Sequence, residues 1–139
     1  MVDLIDETFV VADPAVVAAA LHDVALWRRL FPDLELTVFQ DRAEQGLRFS
    51  VTGSLVGSSE FWVEPCHDGA VVHYYLRADL TRRGSATDGY DGDPRAAARR
   101  AIRARTRHVR RVKQGLNRLK DVLEGGRPPG VGREAADAH

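Results

Sequence analysis

Residues 94–124 carry the periodicity of a single long helix, and a helix of that length needs most of a small domain to cover its apolar side. Ala98, Ile102, Val109, Val112, Leu116, Leu119 and Leu123 recur at alternating spacings of four and three, with Arg105 filling the one stripe position that is neither apolar nor small. Asp93-Pro94 supplies an N-cap and a proline at the first helical position, and Gly125-Gly126 followed by Pro128-Pro129 supplies the stop. About 31 residues at helical rise give roughly 46 Å.

Charge is segregated in the same way. Residues 94–124 hold 11 Lys+Arg against Asp121 and Glu124, whereas residues 1–80 hold five arginines against 13 Asp+Glu. An acidic body and a basic helix in one neutral chain predict that the two meet. The flanking e and g positions of the stripe hold no acidic residue, so a symmetric coiled coil gains no cross-helix ion pair. Packing of the helix on the chain's own sheet is the expectation, with the protein a monomer or a homodimer.

The rest of the chain supplies such a sheet. Residues 4–11 read as a strand. Asp13-Pro14 starts a helix to about residue 22, and a second short helix spans 24–30, stopped by Pro32. Alternation at 34–38, 47–55, 59–64 and 72–80 gives four more strands, the last two joined at His67-Asp68-Gly69 as a hairpin. Residues 81–93, polar and glycine-rich, read as a flexible loop, and 125–139 as a disordered tail. The fold class is therefore α+β: a curved antiparallel sheet of about five strands around a long C-terminal helix, one domain over 1–124.

Composition narrows the functional classes. Cys66 is the one cysteine, so no intrachain disulfide forms, and no residue set has metal-ligand spacing. No glycine-rich phosphate loop or nucleophile elbow occurs, and no cofactor is expected. The acidic start lacks a signal-peptide pattern, and the longest apolar run, 15–21, is too short for a bilayer; the expectation is cytoplasmic, without integral membrane association. Arginine makes up 18 of the 20 basic residues, a bias typical of a high-GC bacterial genome.

The element order and its punctuation resemble the START-like helix-grip (SRPBCC) superfamily, in the branch named polyketide cyclase/dehydrase and lipid transport. The resemblance runs from Phe9 to Leu123 and rests on ADPAVV (12–17), DVALWRRLFPDLE (23–35) and FWVEPCHDGAVVHYYLRADL (61–80) ahead of the closing helix. Family members usually place two further strands between those read at 47–55 and 59–64, which implies a shorter sheet here and a smaller or more open cavity.

The resemblance implies a site between sheet and helix. Phe49, Val51, Phe61, Val63, Tyr74 and Leu76 would face Ile102, Arg105, Val109 and Val112, giving an apolar pocket for a small hydrophobic or amphipathic ligand, lipid- or polyketide-like. Tyr74 would offer its hydroxyl to a ligand oxygen and Arg105 its guanidinium to an acid; the alternatives are a core tyrosine and an arginine paired with the sheet. His73, Tyr75, Arg77 and Asp79 share the other, solvated face. A cyclase/dehydratase enzyme is the second reading, with catalytic residues unassigned, because the expected interior holds no histidine or carboxylate to move a proton. The third is an interaction protein using Arg99, Arg100, Arg103, Arg107, Arg110 and Arg111 against nucleic acid or anionic lipid.

Overall fold

The computed structural model describes residues 1–125. In chain order the elements are β1 (Val2–Val10), α1 (Pro14–Leu21), α2 (Val24–Leu30), β2 (Leu34–Asp41), β3 (Gly46–Gly53), β4 (Leu55–Cys66), β5 (Gly69–Leu80) and α3 (Pro94–Leu123). The tail expected to be disordered after residue 125 lies outside the described residues.

Each helix starts where the sequence places a cap. Asp13 and Asp23 accept from the amides of Ala15 and Ala25 at 2.8 and 2.9 Å, and Asp93 accepts from Arg95 and Ala96. The sheet is antiparallel in the order β1-β5-β4-β3-β2. Leu47, Phe49 and Val51 of β3 and Phe61 and Val63 of β4 point inward, as their alternation requires. β4 and β5 are each 12 residues long, beyond the range their alternation marked, because pairing continues to Cys66↔Gly69. Gly46 opens β3 at φ 119°, where a Cβ would sit 1.9 Å from the Phe61 carbonyl oxygen, so only glycine fits.

Helix α3 lies across the inner face of the sheet, but its buried line differs from the expected stripe. Ala104, His108, Val112 and Leu116 are buried, whereas Ile102 is 67% exposed and Ala98 faces solvent. The buried row steps by four residues, advancing about 40° around the helix each time. Over a twisted sheet the contact line winds around a straight helix instead of following one side. The expected stripe is correct only over the C-terminal half, where Val109, Val112, Leu116, Leu119 and Leu123 all pack inward.

Arg105 is not a stripe residue. Its Nε donates to the Asp3 carbonyl at 3.0 Å, Lys113 Nζ donates to the Glu7 carbonyl at 3.1 Å, and Lys120 Nζ to the Phe9 carbonyl at 2.7 Å. These three cations cap the outward carbonyls of edge strand β1, which blocks pairing with another strand. Lys113 also meets the Asp6 carboxylate at 3.4 Å, and Arg111 meets Asp33 at 2.6 Å. The acidic body and the basic helix do meet, through part of the helix's charge.

Residues 81–93, expected to be a loose loop, make several bonds. Thr81 bridges Gly89, Arg82 pairs with Asp88 at 2.7 Å, and Arg100 lies 4.7 Å over the Tyr90 ring.

Candidate functional site

The space expected to be a cavity is filled by Phe31. This residue caps the C-terminus of α2 and inserts its ring between sheet and helix, 5.5 Å from the Tyr74 ring and 5.2 Å from His108, nearly parallel to both. Phe49, Phe61 and Tyr74 complete an aromatic cluster, and Phe49 also takes the edge of Trp27 at 4.9 Å. Phe49, Val51, Phe61, Val63, Tyr74, Leu76 and Val112 are therefore packed core side chains. Val109 is half-buried and packs against this core, while Ile102 and Arg105 stand outside, so the ten expected ligand contacts do not form one wall.

The interior does hold a histidine, contrary to expectation. His108 is 3% exposed, and its Nε2 lies 3.1 Å from the Tyr74 hydroxyl. Burial pushes the imidazole down to about 4; the Asp33 charge opposes this, and the smaller effects of Arg111 and then Arg107 reinforce it. Burial also drives the Tyr74 hydroxyl far above its ordinary value, so at neutral pH both groups are uncharged and share one hydrogen bond. The spacing His108-Val112-Leu116 was the available signal for this residue, masked by the neighbouring arginines.

Two of the clefts along α3 lie beside this core. The first, about 200 Å³, lies between α3 and the Ser54 end of the sheet, with His108 in its lining and Arg100, Arg103, Arg107 and Arg111 along the helix side. Asp33 braces it: one carboxylate oxygen accepts from Arg111 and the other from the Ser54 hydroxyl, each at 2.6 Å. Burial alone would raise the Asp33 carboxyl, but these bonds and the Arg111 charge hold it below the usual range.

The second cleft, about 530 Å³, is a groove between α2 and α3. Leu26, Leu30, Leu119, Val122 and Leu123 supply apolar walls, with Arg29, Arg111 and Arg118 at its edges. Its floor depends on Gly115, where a Cβ would lie 1.8 Å from a Leu30 methyl; glycine lets the two helices touch.

Of the residues expected on the solvated face, Tyr75 is half-buried and Arg77 and Asp79 are exposed, but His73 is buried. Its ring stacks on Trp62 at 4.4 Å and parallel to Tyr75 at 6.3 Å, between Glu7 at 3.4 Å and Glu64 at 3.7 Å. Cross-strand pairing of Trp62 with His73 explains the cover. Among the described residues no group of three or more His, Cys, Asp and Glu side chains is placed to hold a metal, and no helix is long and apolar enough to cross a membrane.

No family model matches the chain, and no curated protein matches it. Solved structures do. The solution structure of the Aha1 dimer from Colwellia psychrerythraea superposes with a TM-score of 0.55 at 14% identity, covering 92% of this chain and all of that one. A START superfamily protein from Mycobacterium smegmatis overlaps more loosely, with a TM-score of 0.47 at 10% identity over 87% of this chain and 98% of its own. With the strand order, the paired helices after β1 and the long closing helix, the Aha1 likeness identifies the fold of this chain as the START-like helix-grip α+β fold.

Proposed function

We propose that the protein binds a small amphipathic acid, with its apolar body in the groove between α2 and α3 and its acidic group among Arg29, Arg111 and Arg118. The observation that carries this reading is the groove itself: five apolar side chains line about 530 Å³ of space, edged by three guanidinium groups. Apolar walls supply affinity, and a few placed charges fix orientation. Val122, 75% exposed at the helix end, has no packing role and is the side chain a ligand would cover. The aromatic interior is occupied by Phe31, so the ligand contact moves from the sheet to the outer side of α3.

Displacement of a fluorescent fatty acid tests this. Saturable binding that Val122→Asp weakens while leaving the fold unchanged supports the groove; binding indifferent to Val122 and Leu119 substitutions removes it. The oligomeric state follows from the same samples by mass, with the dimeric Aha1 as precedent.

An enzyme of the cyclase/dehydratase kind is the second reading, favoured by the Tyr74–His108 pair at 3.1 Å. A neutral imidazole lining a cleft is a proton acceptor in the position the sequence left empty. Loss of turnover in His108→Gln with retained ligand binding would support it.

A further inference from the structure

We infer that the arginine-lined cleft at the Ser54 end of α3 is a binding site for a phosphoryl group, which shares only Arg111 with the apolar groove. Arg100, Arg103, Arg107 and Arg111 follow one another at spacings of three, four and four, which brings four guanidinium groups to one side of one recess. Two of them are already engaged. Arg111 is held by Asp33 at 2.6 Å, and Arg100 lies over the Tyr90 ring. Arg103 and Arg107 make no ion pair among the described residues, yet they stand one turn apart at the mouth of the recess.

Two neighbouring cations beside a partly enclosed space repel each other unless an anion joins them. The only carboxylate in the lining, Asp33, is turned to Arg111 and Ser54 and does not neutralise them. Guanidinium forks match the oxygens of a phosphoryl group, which accepts from two arginines at once. A volume of about 200 Å³ admits such a group with a few waters, and excludes a folded polymer or an acyl chain. His108 lines the same recess and so reports on its occupancy.

The outward arginines make a useful contrast. Arg95 and Arg99 belong to the same helix and carry the same charge, but neither lines this recess nor the adjoining surface that Arg103 and Arg107 share with Arg110. A site built by geometry discriminates between the two sets; a general attraction of polyanions to a basic helix does not.

The phosphoryl group can come free in solution or as a lipid headgroup. The test titrates the folded full-length chain with inorganic pyrophosphate, and separately with short-chain phosphatidic acid, at constant ionic strength. Histidine ring and methyl NMR signals give the readout. The expected result is a saturable shift of the His108 signal, weakened roughly tenfold by Arg103→Gln or Arg107→Gln and little by Arg95→Gln or Arg99→Gln. Pyrophosphate acting alone points to a soluble ligand. Tighter binding of phosphatidic acid, with shifts at Leu119 and Val122, points to a headgroup whose chains enter the groove. The inference is overturned if neither probe shifts His108 saturably, or if all four arginine variants lose binding equally. The groove reading stands in either case, because fatty acid binding does not require Arg103 or Arg107.

Discussion

The Tyr74 hydroxyl and His108 Nε2 meet at 3.1 Å in the core, one side chain from the interior strand β5 and the other from the long helix α3. This bond and the Phe31 ring stacked on both partners join sheet, α2 and α3 at a single point. It makes the interior a specific polar-aromatic core, filled by the protein's own side chains.

Breaking that bond from one side leaves a buried polar atom unsatisfied. Tyr74→Phe should destabilise the fold by about 1–3 kcal/mol, while pairing it with His108→Leu should recover part of the loss. Urea unfolding of the two singles and the double checks this; strict additivity would show that the two groups are not coupled.

The pH dependence has a defined sign. The unfolded His108 takes up a proton near 6.5, whereas the folded one stays neutral down to about 4. In that window the unfolded state binds more protons, so stability falls as pH drops from about 6.5 to about 4, by up to about 3 kcal/mol. His22 works oppositely and higher. Burial lowers its pKa, but its bonds to Asp41 and the Ala18 carbonyl outweigh that and raise it, so its contribution is lost as pH rises above 6.5. Unfolding measured across this range should lose its acid slope in His108→Gln; an unchanged slope would contradict the buried neutral imidazole.

The winding contact line of α3 is tested by two substitutions that the sequence stripe treats alike. Leu116→Asp places an unpaired carboxylate in the core and should abolish folding, since that cost exceeds several kcal/mol. Ile102→Asp should change stability by no more than about 0.5 kcal/mol, because Ile102 is in solvent. Circular dichroism melts of both decide the matter; a collapse of Ile102→Asp would restore the straight stripe.

Gly115→Ala sets helix propensity against contact. Alanine favours the helix by about 1 kcal/mol, but its methyl would enter the space of a Leu30 side chain that is 1% exposed. Overpacking at about 1–3 kcal/mol should win, lowering the melting temperature and prying α2 from α3. A stabilised variant would mean that Leu30 can swing aside.

The chain announces its architecture through residues whose meaning is local. Asp13-Pro14 and Asp93-Pro94 fix helix starts, and Phe49-Val51 and Tyr74-Leu76 alternate as half-buried strands do. The site was less legible because it depends on relations no local pattern carries. Which way α3 rolls on a twisted sheet decides that His108 enters the core while Ile102 leaves it. Phe31 reads as one more apolar residue at a helix end, and only its position above Tyr74 shows that it fills the expected cavity. The role of Arg105 likewise appears only once β1 is known to be an edge with free carbonyls.

The central claim is that a ligand sits between α2 and α3 and not inside the sheet, and native mass spectrometry of gently purified protein tests it most directly. The account predicts a defined acidic amphiphile bound to the native chain, or taken up from added fatty acids, and absent from the Val122→Asp variant. A chain that stays bare with every amphiphile added, or a bound molecule retained equally by Val122→Asp, would contradict it.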